Sequence, residues 1–139
     1  MPADRIIVIT NQGGIALNYY SGDDYHAVNQ HMLDVFCAAD VAITDVYHCP
    51  YHPDAPNRYT CWKDWRKPAP GMLLAAAKEH RLDLSCSLLV GDKESDMQAA
   101  AAAGITRRFF IGEKPPSGAI ACRSLARVAA FCTRTLTNS

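Results

Sequence analysis

Thr10, Asn11 and Gln12 stand directly behind the apolar run Ile6-Ile7-Val8-Ile9 and ahead of Gly13-Gly14. A hydroxyl, an amide and the backbone N–H groups of a glycine turn can cradle an oxyanion. The same residues also suit an ordinary turn closed by an Asn side-chain bond. Arg66-Lys67, stiffened by Pro68, sets a bidentate fork beside a point charge. That pairing suits a phosphate, or else a solvated basic pair. Asp92 follows Val90-Gly91 and Asp96 lies four residues on. Hard oxygens so placed suit Mg²⁺, although Asp96 also answers to a helix macrodipole as an N-terminal acid. Cys49, His52 and Cys61, with His48 alongside in an unusual C-x2-H-x8-C spacing, suit the four Cys and His donors of a structural zinc site, or else are incidental residues of a loop.

These residues need elements to hold them. Arg5 to Thr10 reads as a buried strand, because its β-branched residues run without a polar interruption. Ser21 with Asp24 resembles a capping box, and Tyr25, Val28, Met32 and Phe36 behind it share one helical face. Ile43 to His48 is a second strand. Residues 49–69 lack a period and form a long loop, which in a compact domain is usually functional. Pro70 opens a helix to about His80. Ser87 to Val90 is a strand, Ser95 to Ala103 a helix stopped by Gly104, and Arg107 to Ile111 a strand. Ser124 caps a last helix to about Thr133. Strands alternating with helices predict an α/β fold with a mostly parallel sheet. The site of such a sheet lies at the carboxyl ends of its strands. Thr10-Asn11 and Asp92-Lys93 both fall there.

The chain has 139 residues, a length that suits one domain over 1–139. Fourteen basic and fourteen acidic side chains balance, so net charge indicates neither a nucleic-acid nor a membrane-surface partner. No apolar run reaches the ~20 residues of a membrane span, and the N-terminus lacks a signal-peptide core. A cytoplasmic location and reduced cysteines are expected. Cys37, Cys86, Cys122 and Cys132 sit in apolar contexts and are expected to be small buried hydrophobes.

VITNQGGIA (8–16), CPYHPD (49–54), RKPAPGMLLAAA (66–77) and LLVGDKESDMQAAAAAG (88–104), in this order, resemble the haloacid dehalogenase superfamily of phosphatases. The nearer likeness is to the branch that contains D-glycero-D-manno-heptose 1,7-bisphosphate phosphatase and histidinol-phosphate phosphatase. The resemblance implies a Rossmann-like core, Mg²⁺ and a phosphorylated sugar as substrate, in heptose supply for cell-surface polysaccharide. It implies that Thr10 donates its hydroxyl to a phosphoryl oxygen and that Lys67 steadies nucleophile and phosphate. Asn11, Gln12, Arg66 and Lys93 would contact substrate, with Arg66 on the non-reacting phosphate. Asp92 would ligate Mg²⁺, with Asp96 in its outer shell. Many relatives carry a zinc loop reading C-x-H and then C-x-C. Here Tyr51 holds the His position, Lys63 and Trp65 hold the paired Cys positions, and Cys61 falls two residues early, so residues 49–69 are read as zinc-free.

The superfamily's first motif, an apolar strand ending D-x-D-G-T/V, does not occur in the chain. Its first Asp attacks phosphorus and its second protonates the leaving group. The resemblance places that strand centrally in the sheet, so the expected fold lacks its N-terminal central strand. Two strand edges would then be exposed, each holding unpaired backbone groups at about 1–3 kcal/mol when buried, and three outcomes are open: the edges close together, the chain self-associates through them, or it folds poorly. Two alternatives to a heptose bisphosphate phosphatase follow: a catalytically inactive chain that binds phosphorylated ligands, and a histidinol-phosphate phosphatase.

Overall fold

A computed structural model describes residues 5–55 and 59–122, the side chains of Thr60 and Cys61 excepted. The helix expected from Ser124, and Cys132 with it, lie outside the described residues. The fold is α/β with parallel strands, divided into two compact units, Met1–Arg66 and Lys67–Ser139.

In the first unit, β1 (Ile7–Asn11) pairs in parallel with β2 (Asp45–Cys49), Thr10 opposite His48 and Asn11 opposite Cys49. Helix α1 (Gly22–Ala38) connects them. Ser21 caps it with the expected box: its hydroxyl accepts from Asp24 N–H at 3.0 Å, and the Asp24 carboxylate accepts from Ser21 N–H at 2.9 Å. Tyr25 is buried and its ring stacks against His48, 4.4 Å between centroids, tying α1 to β2. Val28 shares the expected face with Tyr25 and Met32: with them, Val8 and Val46 it lines a cavity of about 500 Å³, and it is 69% exposed. Residues 49–69 are not wholly irregular, since Thr60–Trp65 forms a short 3₁₀ helix.

In the second unit, β3 (Leu88–Gly91), β4 (Arg107–Ile111) and β5 (Ile120–Cys122) form a parallel sheet in that order. Helix α2 (Gly71–His80) begins one residue later than Pro70, which serves as N-cap. Helix α3 (Glu94–Ala102) ends as its sequence predicts. Gly104 turns left-handed at φ 90°, while Gly104 and Ile105 N–H groups reach the carbonyls of Ala101 (3.1 Å) and Ala100 (2.9 Å), a Schellman closure. Met72, Leu73, Ala76, Leu89, Met97, Ala99, Ala100, Ile105 and Phe109 are buried apolar residues among the described residues of this unit.

The cysteine expectation needs correction. Cys37 and Cys86 are exposed and Cys122 is half-buried. Cys86 lies on a turn where its thiol donates to the Asp83 carboxylate at 3.3 Å, so its apolar neighbours in sequence do not enclose it.

Candidate functional site

The first unit gathers its polar groups at the carboxyl end of β1. Gln12 N–H donates to the Cys49 carbonyl at 2.7 Å, extending the pairing one residue past the strand. The chain then coils tightly, with Leu17 N–H on the Gly13 carbonyl (3.2 Å) and Tyr19 N–H on that of Gly14 (2.9 Å). Asn18 adopts a left-handed conformation, φ 60°, and the loop doubles back. Tyr20 Oη therefore returns to the strand tip and donates to Gln12 Oε1 at 2.5 Å. Gln12 Nε2 in turn donates to Thr10 Oγ1 at 2.9 Å.

The two glycines make room for this convergence. A Cβ on Gly13 would lie 2.9 Å from an Arg66 guanidinium nitrogen and 2.8 Å from His52 Cδ2. A Cβ on Gly14 would lie 2.3 Å from the Tyr20 ring. Arg66 is anchored by donating to the Tyr51 carbonyl at 3.2 Å, which sets its cation over the glycine turn. The Thr10 hydroxyl, the Gln12 amide and the Arg66 guanidinium thus occupy one strand end, a donor set for anionic oxygens.

The other candidates of the 49–69 loop are engaged within it. The buried Cys49 thiol donates to the Trp62 carbonyl at 3.2 Å. Burial raises its pKa above 9.0, against smaller lowering effects of the Tyr51 backbone and Arg66, which keeps the sulfur protonated at neutral pH. His52 Nδ1 accepts from Asp54 N–H at 3.0 Å. The side chain of Cys61 lies outside the described residues. Aromatic packing braces the loop, with Trp62 edge-on to Trp65 at 4.6 Å and Trp65 near Tyr47 at 6.0 Å.

The second unit brings Lys67, Asp92, Lys93 and Asp96 to the carboxyl end of β3. Lys67 Nζ lies 2.5 Å from Asp96 Oδ1, with the two side chains 12% and 10% exposed. Asp96 Oδ2 accepts from the N–H groups of Asp92 (3.2 Å) and Lys93 (3.1 Å). Asp96 therefore satisfies the start of α3, as an N-terminal acid would, and it also holds the lysine. Gly91 leaves space for it, since a Cβ there would stand 2.5 Å from Asp96 Oδ2. Asp92 and Lys93 are exposed. This end offers a fixed ammonium, a second ammonium and a solvent-facing carboxylate.

Sequence reasoning missed Tyr20. The only available signal was Gly14, because a second consecutive glycine after a strand often marks close approach of another group.

Residues 64–109 match the family model of HAD-like hydrolases. The chain is 46% identical over 112 residues to D-glycero-alpha-D-manno-heptose-1,7-bisphosphate 7-phosphatase of Burkholderia mallei, covering 80% of this chain and 59% of that one. It is 40% identical over 109 residues to D-glycero-beta-D-manno-heptose-1,7-bisphosphate 7-phosphatase of Rhodopseudomonas palustris, covering 78% and 61%. The chain thus spans about three fifths of these relatives' lengths. Among solved structures it resembles the D,D-heptose 1,7-bisphosphate phosphatase of B. bronchiseptica complexed with magnesium and phosphate. The TM-score is 0.82 at 26% identity, over 94% of this chain and 75% of that one.

Proposed function

We propose that the chain is a haloacid dehalogenase-like hydrolase and carries the substrate-holding groups of a phosphatase for D-glycero-D-manno-heptose 1,7-bisphosphate, a reading supported by the family-model match and the similar heptose bisphosphate phosphatases. One observation carries this reading. Each motif residue suited to phosphate either stands at the carboxyl end of a parallel strand or is bonded to, or set beside, residues that do. Thr10 donates a hydroxyl to a phosphoryl oxygen, and Asn11 and Gln12 face the substrate. Lys67, held by Asp96, supplies a fixed positive charge, and Lys93 a second. Arg66 takes the non-reacting phosphate through its planar fork. Phosphoryl transfer depends mainly on positioning and on charge stabilisation, and these groups do both.

Magnesium fits the donor set at β3. Mg²⁺ is commonly held by one or two carboxylates plus substrate phosphate and waters. Asp92 is exposed there, whereas both oxygens of Asp96 are engaged. When bound, the ion neutralises charge on phosphate oxygens. A cytoplasmic location and a role in supplying heptose for cell-surface polysaccharide belong to the same proposal.

A second reading has its own observation: no Asp-x-Asp occurs in this chain. Without that nucleophile and acid, these groups would bind phosphorylated sugar and not turn it over. One assay separates the two. The 139-residue protein is mixed with Mg²⁺ and heptose 1,7-bisphosphate or histidinol phosphate, and both binding and released phosphate are measured. Release that disappears in Lys67→Met and Asp92→Ala supports the phosphatase. Saturable binding without release supports the second reading, and absence of both overturns the two together. A preference for histidinol phosphate reassigns the substrate.

A further inference from the structure

We propose that Tyr20 is a positioning residue for Thr10, acting through Gln12 to aim the threonine hydroxyl proton at a bound phosphate. The inference rests on the role of Thr10 in the preceding reading. Tyr20 Oη donates to Gln12 Oε1 (2.5 Å) and Gln12 Nε2 donates to Thr10 Oγ1 (2.9 Å). A primary amide has an acceptor end and a donor end, so a donor fixed on Oε1 forces the NH₂ group toward Thr10. A threonine hydroxyl has one proton and two lone pairs. Once Gln12 occupies a lone pair, the proton must point elsewhere.

That proton's present acceptor is its neighbour's carbonyl, Asn11 O, at 3.5 Å, beyond the ordinary range of an O–H···O bond. An anionic oxygen at the strand tip would displace so weak a contact. Without the tyrosine hydroxyl the amide can flip, present its oxygen to Thr10 and draw the proton inward. Burial raises the Tyr20 phenol above its ordinary value of 10.0, so it remains a donor at neutral pH. Gly14 is the sequence condition for the arrangement, because any side chain there would meet the Tyr20 ring.

The test combines inorganic phosphate affinity with the Gln12 side-chain amide signals in NMR, on the full chain as wild type, Tyr20→Phe, Thr10→Val and the double variant. In wild type the two Gln12 amide protons should be well separated and slow to exchange, and Tyr20→Phe should collapse that pattern without lowering Tm appreciably. Tyr20→Phe should weaken phosphate binding roughly three- to tenfold and Thr10→Val roughly tenfold or more, as expected for losing a neutral and a charge-assisted bond. The double variant should bind no worse than Thr10→Val, because both act on one hydroxyl. Unchanged Gln12 signals in Tyr20→Phe, or independent multiplying losses, would overturn the relay. A disrupted Gln12 pattern with phosphate affinity unmoved by Thr10→Val would instead overturn the role of Thr10, and the proposal with it.

Discussion

Asp96 carries three bonds with two oxygens, and its loss should be felt in both directions. Asp96→Ala takes the carboxylate away from the nearly buried Lys67 and removes the acceptor of two N–H groups at the start of α3. Removing one member of a buried pair costs about 3–5 kcal/mol, which urea denaturation should resolve. Adding Lys67→Met should recover part of that loss, since the charge that faced the Asp96 carboxylate goes too; a double variant no more stable than Asp96→Ala would refute the pairing as the source. Gly91→Ala attacks the same contact from the strand. Its Cβ would meet Asp96 Oδ2 at 2.5 Å and Asp96 Cβ at 2.6 Å, and α3 restrains Asp96. Overpacking of this kind costs about 1–3 kcal/mol, with unfolding midpoints as the measure. These residue types were legible in sequence because Gly, Asp and Lys follow an apolar strand directly. The pairing of Lys67 with Asp96 was not, because a separation of 29 residues leaves no periodic trace.

The elements were read best where a local rule is strong. Consecutive β-branched residues announced β1, Ser21 with Asp24 announced α1, and Gly104 announced the end of α3. Strand β5 was missed because three residues behind a Pro-Pro-Ser-Gly turn carry too little pattern, and only pairing with β4 defines them. Helical period placed Val28 on one face with Tyr25 and Met32, but a period gives a face and not its cover. Helix α1 offers two element-scale tests. Ser21→Ala should cost about 1 kcal/mol through the lost cap, seen as reduced helicity on mild heating. The second concerns pH. Burial, and secondarily His26, lowers the His48 pKa below 6.5 where it stacks on Tyr25. The unfolded chain then takes up this proton first as pH falls. Stability should decline from about pH 6.5 downward and level off once folded His48 protonates. Asp24, whose bonds to the Ser21 backbone and hydroxyl lower its pKa below 3.8, contributes in a separate window, lost as pH falls through its folded value. His48→Phe should flatten the upper window alone; an unchanged profile in that variant would exclude His48 as its origin.

Across the whole chain, zero net charge conceals cations with assigned places: Arg66 over the Gly13 turn and Lys67 on Asp96. Motif order revealed what total charge could not, because recognition depends on which residues follow which strand. The absent Asp-x-Asp is equally plain in sequence and has the larger chemical consequence. Donors and cations can gather phosphate oxygens, but a covalent phosphoryl intermediate requires a carboxylate aimed at phosphorus. Beryllofluoride isolates that requirement, since it forms a tetrahedral adduct on carboxylates that act as phosphoryl acceptors. The 139-residue protein with Mg²⁺ should therefore show no protein-bound ¹⁹F signal with beryllofluoride, under conditions where inorganic phosphate still binds. The carboxylates at the β3 end argue for the same outcome: Asp96 is already bonded through both oxygens, and Asp92 faces solvent in the place suited to a metal ligand. A bound signal would refute the expectation, and its loss on substituting each Asp or Glu in turn would identify a nucleophile outside the family motif.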